Sequence, residues 1–385
     1  MWPFYLGGFM GPFGYGTVLV ILPLIAVDFG TDIQQATLTI SSYMGPYAVG
    51  LLFSGTIADL FGLRRVVVTG LAGFAIASLA AALAPTIELF LAARVAQGLS
   101  NAFMTSLIMT SIADMVTPAQ IGKTVGTFSA FVTAGQFLAP PLSGTLSLVN
   151  WRLVYLLITA VATGLALHYW RLYGAAGIGL HARGSTNPIT IYRRVLGLKL
   201  LLLCFGTFVG SLTTNAINFL FALHLHDRWG LNPAVSGVIL SLAAIVNICV
   251  ASWAGGLGDR IGSVRVALMG TAMTIVLFVA LALVDTLPIF VVLYAMLGVG
   301  ISFIWTALST LVVTGFPAQR GAATSICNAF RFLAIATAPT IYAPFYLGYG
   351  AHAALLAAAA FTALLVVNLT WYAALAGASA RRSGP

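Results

Sequence analysis

Long apolar stretches follow one another along almost the whole chain, and they restrict it to folds that cross a membrane. Of the 385 residues, 60% are hydrophobic and 6% are charged, whereas a soluble domain has about 25% charged residues. A transmembrane helix needs about 20 mostly apolar residues, and twelve stretches of the chain qualify. They cover roughly residues 4–27, 36–58, 66–84, 89–112, 122–146, 153–173, 199–224, 233–257, 265–284, 287–313, 322–346 and 352–376.

The composition of these stretches favours helices over the strands of a membrane barrel. The run VVVTGLAGFAIASLAAALA at 66–84 is apolar on every side, whereas barrel strands alternate in polarity over about 10 residues. Helices also satisfy their own backbone groups in lipid. The start of the chain lacks a basic region and a small-residue cleavage site, so we interpret residues 1–27 as the first span. We therefore predict an all-α integral membrane protein with twelve transmembrane helices.

The basic residues are distributed unevenly between the two sides of the predicted membrane. With twelve spans both termini lie on one side, and the loops of the opposite side hold only two basic residues, Arg152 and Arg228. Such a bias places the basic side in the cytoplasm. We therefore predict a bacterial inner-membrane protein with both termini in the cytoplasm. The net charge of +9 then needs no nucleic-acid partner.

Short polar sequences recur about 200 positions apart. GTIADLFGLRR at 55–65 returns as GGLGDRIGSVR at 255–265, and QGLSNAF at 97–103 corresponds to LGVGISF at 297–303. An even number of spans in each repeat makes both halves insert in the same orientation. We predict one six-helix bundle over 1–173, a cytoplasmic linker over 174–198 and a second six-helix bundle over 199–385.

Several of these motifs resemble those of the major facilitator superfamily, or MFS. GTIADLFGLRR is similar to that family's loop between helices two and three, and RVAQG at 94–98 resembles its fourth-helix motif. Gly126, Gly135 and APPLSG at 139–144 resemble the fifth-helix motif of its twelve-helix drug:H+ antiporters. The resemblance implies two parallel bundles that move a solute by alternating access. From its glycines and prolines we also predict that span five is closely packed and kinked, at Gly126, Gly135, Pro140, Pro141 and Gly144.

The repeated loops are candidates for a gate at the cytoplasmic mouth. Asp59 would accept hydrogen bonds from a neighbouring helix end and form an ion pair with Arg64 or Arg65. Asp114 is a second candidate acidic partner in this cluster. Gly55 and Gly62 would permit close helix approach and a tight turn. The full predicted set is Gly55, Asp59, Gly62, Arg64, Arg65 and Asp114, then Gly255, Asp259, Arg260, Gly262 and Arg265. The alternative is that these residues only shape the loops.

Two charged residues lie well inside the spans, Arg94 and Arg331. A charge at the bilayer centre costs at least about 2.5–3.5 kcal/mol, so each should face a cavity or a partner. By resemblance, Arg94 is the fourth-helix arginine linked to substrate binding and proton coupling, and spans one, four, seven and ten line the cavity. The predicted substrate-binding set is Tyr15, Arg94, Asn101, Gln136, Asn215, Asn218, Trp305 and Arg331. The alternative for each is interhelical hydrogen bonding or packing.

The predicted activity is secondary transport of a small organic solute. The chain has no nucleotide-binding G-x-x-x-x-G-K-[ST] loop, no converging catalytic residues and no metal-ligand spacing among its cysteines. We therefore expect no enzymatic activity and no cofactor, and a monomer in the lipid bilayer. Proton-coupled efflux is favoured by the span-five motif. The alternative is uptake of an anionic metabolite or siderophore-like solute, since no Asp or Glu lies near the middle of a span.

Overall fold

A computed structural model describes residues 2–114, 117, 121–176, 195–215, 217–317 and 319–382. Every regular element in these ranges is an α-helix. The first half contains α1 (Trp2–Gly16), α2 (Leu22–Phe29), α3 (Ile33–Phe61), α4 (Leu63–Leu83), α5 (Ile87–Ala102), α6 (Thr105–Asp114), α7 (Ile121–Ser147) and α8 (Arg152–Ala176). The second contains α9 (Leu198–Thr214), α10 (Asn218–Trp229), α11 (Pro233–Ile261), α12 (Ser263–Leu283), α13 (Leu287–Gly315) and α14 (Arg320–Arg382).

These helices supply the twelve predicted spans, but not one helix to a span. Spans one, four and seven are each made of two helices, α1 with α2, α5 with α6, and α9 with α10. The first pair is bent by 49°. Conversely, α14 contains the last two spans, separated at Gly350, whose φ of 82° suits a residue without a Cβ. The stretch Arg320–Leu375 has 56 residues, enough for two crossings.

The repeat seen in the sequence is present in the backbone. Gly62 joins α3 to α4 with φ 88°, and Gly262 joins α11 to α12 with φ 93°. Gly30 and Gly230, which lie before α3 and α11, both have φ 62°. Glycine adopts such positive φ values without steric cost. The two halves therefore make the same turns at positions 200 residues apart.

A tight helix crossing is repeated as well. A Cβ built on Gly98 of α5 would lie 2.8 Å from the Tyr43 carbonyl carbon of α3, and closer to its oxygen. A Cβ on Gly298 of α13 would similarly collide with the Ala243 carbonyl oxygen of α11. Small residues let helix backbones approach in this way in membranes. The second and fourth spans of each half thus cross at a glycine.

The contacts divide the chain into two compact units. One comprises Met1–Pro188 with Leu225–Val238, and the other comprises Ile189–His224 with Ile239–Pro385. In the first, α1 packs on α7, α3 on α5, and α4 on both α5 and α8. In the second, α9 packs on α14 and α12 packs on α13 and α14. Most of the predicted linker 174–198 lies outside the described residues.

The outward helix faces are apolar. Large exposed side chains include Ile76 on α4, Trp170 on α8, Val276 on α12 and Val367 on α14. Soluble proteins rarely expose extensive apolar surface of this kind. These faces are therefore suited to contact with lipid chains, as the twelve-helix prediction requires.

Candidate functional site

Arg94 is enclosed by the first unit. Its side chain is 0% exposed, and its Nη1 donates to the Gly14 carbonyl oxygen at 3.0 Å and to Gln97 Oε1 at 2.8 Å. Its Nε donates to the Thr39 carbonyl oxygen at 3.5 Å. The guanidinium therefore connects α5 to the carbonyl groups of α1 and α3.

Neutral groups complete the surroundings of this cation. The guanidinium carbon lies 4.3 Å from the ring centre of Tyr43 and 5.9 Å from that of Tyr155. Gln97 Nε2 in turn donates to Ser78 Oγ at 2.6 Å. Arg94 Nη2 has no hydrogen-bond partner in the part of the chain that the structure describes. Carbonyl dipoles and aromatic faces thus stabilise the buried charge.

The second half uses a neutral side chain at the corresponding position. Tyr294 of α13 stands 200 residues after Arg94, and its hydroxyl lies 3.2 Å from Asn218 Oδ1 and 3.3 Å from the Leu240 carbonyl oxygen. Both side chains therefore connect the fourth span of their half to its first and second spans. Sequence reasoning did not single out Tyr294, although the 200-residue offset could have found it. Substrate binding by Arg94 stays a prediction, and this conformation gives its side chain no exposed area.

Arg331 has different surroundings in the second unit. It is half-buried on α14, and its guanidinium carbon lies 4.2 Å from the centre of the Trp305 ring and 5.5 Å from that of Phe332. Trp305 Nε1 donates to Thr214 Oγ1 at 3.1 Å. Thr214 Oγ1 donates to the Gly210 carbonyl oxygen at 2.6 Å. The structure therefore brings the predicted residues Arg331 and Trp305 together and adds Thr214.

The predicted amides lie beside the helix breaks. Asn101 Oδ1 accepts a hydrogen bond from Thr105 Oγ1 at 2.6 Å across the break between α5 and α6. Asn215 follows α9 directly, and its Nδ2 donates to Thr214 Oγ1 at 3.2 Å. Asn218 is the first residue of α10. These side chains thus support interrupted spans, a feature that the apolar pattern alone did not predict.

The remaining two predicted binding residues lie on separate helices of the first unit. Tyr15 is buried near the end of α1, and Gln136 is half-buried in the middle of α7. A binding role for both stays a prediction.

The ion pairs predicted for Asp59 and Asp259 are not formed among the residues that the structure describes. Within the described residues, Asp59 forms no ion pair with Arg64 or Arg65, and Arg64 Nη2 instead donates to the Trp170 carbonyl oxygen at 3.4 Å. In the second half Asp259, Arg260 and Arg265 are exposed and likewise unpaired in the described part. The side chain of Asp114 lies outside the described residues. The gating role therefore stays a prediction for another conformation.

The predicted glycines fall into two groups. Gly62 and Gly262 make the turns described above, and Gly255 has ordinary contact with Thr306, 3.6 Å from a built Cβ. At Gly55 a Cβ would meet nothing within 4 Å, so no neighbouring helix approaches closely there in this conformation. The same holds for Gly126 of α7, and the packing roles of both glycines stay predictions.

The other α7 glycines do face neighbouring backbone. A Cβ on Gly135 would lie 3.1 Å from the Phe9 carbonyl carbon of α1, and one on Gly144 would lie 2.6 Å from the Pro233 carbonyl carbon. Both would be closer still to the carbonyl oxygens. The helix continues through Pro140 and Pro141. Span five is thus in close backbone contact at two of its three predicted glycines.

The sequence model of the Major Facilitator Superfamily matches this chain twice, over residues 4–202 and 203–384. The chain belongs to the Major Facilitator Superfamily. It is therefore a multi-pass membrane transporter with a small-molecule substrate, rather than a catalytic enzyme.

Relatives of this superfamily member cover nearly its whole length. An uncharacterized MFS-type transporter, YceJ of Bacillus subtilis, is 26% identical over 94% of this chain and 93% of its own length. The multidrug resistance protein MdtG of Klebsiella pneumoniae is 25% identical over 92% of this chain and 89% of its own. The nucleoside transporter NupG has a similar fold, with a TM-score of 0.79, 16% identity and coverage of 96% and 98%.

This MFS chain also has an ion pair that sequence analysis missed. Arg152, at the start of α8, binds Asp28 at 2.8 Å and donates to the carbonyl oxygens of Ala82 and Ala84 at 2.9 and 2.7 Å. The cluster connects the predicted external ends of α2, α4 and α8.

No group of three or more His, Cys, Asp or Glu side chains converges in the described part of the chain. Cys204 and Cys327 are buried with their sulfurs 3.5 Å apart, and Cys249 is exposed on α11.

Proposed function

We propose that this superfamily member is a secondary transporter of the bacterial inner membrane that exports a small organic solute in exchange for protons. The observation that carries the proposal is the close backbone packing of α7 at Gly135 and Gly144. These glycines belong to the sequence that resembles the fifth-helix motif of the drug:H+ antiporters. The similarity to MdtG, named for multidrug resistance, supports the same direction of transport.

The domain boundaries and the gate belong to this proposal. Two bundles, over residues 1–173 and 199–385 and joined by a cytoplasmic linker at 174–198, would rock about a shared pocket in a monomer. The repeated loops after Asp59 and Asp259 would close the cytoplasmic mouth in another conformation. Support comes from the matching turns at Gly62 and Gly262.

A second candidate function is uptake of an anionic solute. It is favoured by the position of the charges, because each of the eight acidic residues lies in the first or last turn of a span or in a loop. Arg94 and Arg331 are therefore the charged side chains at mid-span. Burial-shifted carboxylates at mid-span are the usual proton carriers in transporters, so their absence from the sequence weighs against proton coupling.

Vesicle transport separates these candidates. Inside-out vesicles with an acidic lumen would be loaded from outside with rhodamine 123, a cation, or carboxyfluorescein, an anion. Export predicts accumulation in the lumen that nigericin abolishes by collapsing the pH gradient, whereas vesicles without the protein accumulate neither dye. Accumulation that nigericin leaves unchanged would contradict proton coupling. Uptake of carboxyfluorescein only by right-side-out vesicles would support the second candidate.

A further inference from the structure

Three arginines lie around one helix contact at the predicted cytoplasmic end of the first unit. Arg64 and Arg65 are in the first turn of α4, and Arg171 is near the end of α8. Arg64 Nη2 donates to the carbonyl oxygen of Trp170 at 3.4 Å, so the start of span three meets the end of span six there. Since Arg65 and Arg171 adjoin these two residues in the chain, the contact gathers three positive charges. We name Arg64, Arg65, Trp170 and Arg171 the Arg64 cluster.

The surrounding protein does not neutralise these charges. Arg65 and Arg171 are exposed, and neither has an ion pair or a side-chain hydrogen bond within the described residues. Asp59, near the end of the neighbouring α3, also forms no ion pair there. The planar edge of a guanidinium matches two oxygens of a phosphate. The cluster therefore has unused hydrogen-bond donors and charge for an anion.

The surface around the cluster favours a membrane lipid as the source of that anion. Trp170 is 61% exposed, and tryptophan is typical of the boundary between lipid chains and water. Farther into the predicted membrane, the exposed side chains on the same two helices are aliphatic, as at Ile76 and Leu167. A phospholipid has an anionic phosphate followed by apolar chains. Its chemistry thus follows the same order as the charged, aromatic and aliphatic parts of this surface.

The second half lacks the cluster, although its backbone makes the same turn at Gly262. Val264 stands 200 residues after Arg64. Trp371 stands 200 residues after Arg171. Orientation in the membrane requires an excess of basic residues on one side, but it does not require three of them at one helix contact. The concentration of arginines in the first half therefore indicates a role beyond topology.

We propose that the Arg64 cluster binds the phosphate of an anionic phospholipid between spans three and six. Arg65 and Arg171 contact the phosphate, and Arg64 adds charge while it joins the two helices. Trp170 borders the glycerol and the first methylene groups of the lipid chains. This site goes beyond the transport function, and either direction of transport is compatible with it.

The first test compares two lipids on the unaltered full-length protein. Palmitoyl-oleoyl phosphatidylglycerol is anionic, whereas the phosphatidylcholine with the same chains is zwitterionic. Native mass spectrometry of the delipidated protein in mild detergent would give an apparent Kd for each lipid. One arginine near a membrane surface strengthens the binding of anionic lipid about fivefold, so three should make phosphatidylglycerol bind at least about tenfold more tightly. Glycerol 3-phosphate at the same concentration should not displace the lipid, because it lacks the chains.

Paired variants then assign the preference to the cluster. Arg65→Gln with Arg171→Gln leaves the Arg64 contact in place and should weaken phosphatidylglycerol about 25-fold. Phosphatidylcholine should weaken less than about threefold in the same variant. The control is Arg260→Gln with Arg265→Gln, which removes the same charge from exposed positions of the second half. It should weaken phosphatidylglycerol less than about twofold.

Fluorescence quenching locates the bound lipid independently. The emission of Trp170 is the difference between the spectra of the wild type and Trp170→Phe. Phosphatidylglycerol with brominated chains should quench this emission more than brominated phosphatidylcholine does at equal mole fraction. Trp371 is also exposed, and its emission, obtained in the same way from Trp371→Phe, should be quenched equally by both lipids.

Equal affinity of the two lipids for the wild-type protein would overturn the proposal. Displacement of the lipid by glycerol 3-phosphate would also overturn it, because it would indicate a site for free anions. Equal losses in the two paired variants would show attraction by overall charge instead of a site. None of these measurements uses a gradient, so a failure of proton exchange in the vesicle assay leaves the lipid site unaffected.

Discussion

A matched pair of glycine substitutions tests the helix packing around Arg94. In Gly98→Ala the new methyl would lie 2.8 Å from the Tyr43 carbonyl carbon and closer to its oxygen, so α5 must move away from α3. Overpacking of this kind costs about 1–3 kcal/mol, with the upper end expected because the neighbour is backbone. Alanine recovers about 1 kcal/mol through its helix propensity. We therefore expect a net loss of about 2 kcal/mol in the free energy of unfolding.

Gly55→Ala is the control, because it makes the same change in α3 where a Cβ meets nothing within 4 Å. There only the propensity gain remains, so stability should rise by about 1 kcal/mol. The two variants should thus differ by about 3 kcal/mol, measured by SDS-induced unfolding of the purified protein in mild detergent. Equal unfolding midpoints for the two variants would refute the tight crossing at Gly98.

Three further changes probe other contacts. Tyr294→Phe should lower unfolding stability by about 1–3 kcal/mol, since it removes the hydroxyl that contacts Asn218 Oδ1 and the carbonyl oxygen of the buried Leu240. Tyr349→Phe, at an exposed tyrosine, should have no effect. Copper phenanthroline should oxidise Cys204 and Cys327, whose sulfurs are 3.5 Å apart, to a disulfide. After alkylation, mass spectrometry should then find Cys249 as the modified thiol. Arg152→Gln should lower the thermal unfolding temperature more than Arg320→Gln does, because Arg152 holds Asp28 and two carbonyl groups.

The twelve spans and the parallel repeat could be predicted because both depend on local pattern. Lipid requires long apolar helices. The recurrence of GTIADLFGLRR as GGLGDRIGSVR indicates that both halves insert into the membrane in the same orientation. The breaks in spans one, four and seven could not be predicted in the same way. An unwound turn of apolar residues such as Thr17–Ile21 has the same composition as the helices that flank it.

Partners of the site residues were harder to predict than the residues themselves. Arg94 was identified from its charge and from the RVAQG motif, but two of its partners are the carbonyl groups of Gly14 and Thr39. Every residue type carries a carbonyl group, so the sequence contains no sign of these bonds. The gate prediction for Asp59 was limited for another reason. Ion pairs in mobile gates depend on the conformation, and this one contains the pair Arg152–Asp28 instead.

The two halves share backbone turns and helix crossings, but they differ in the side chains at equivalent positions. Glycine crossings at Gly98 and Gly298 and turns at Gly62 and Gly262 recur, because a Cβ would be strained or would collide there. Side chains at equivalent sites have diverged. A buried cation at Arg94 corresponds to the neutral Tyr294, so the interhelical connection itself does not require a charge.

The second half has its mid-span cation at Arg331 instead, where part of the side chain stays exposed beside Trp305. The mid-span cations thus lie at non-equivalent positions of the two halves, so the recurring turns and crossings do not by themselves determine where the charges are placed.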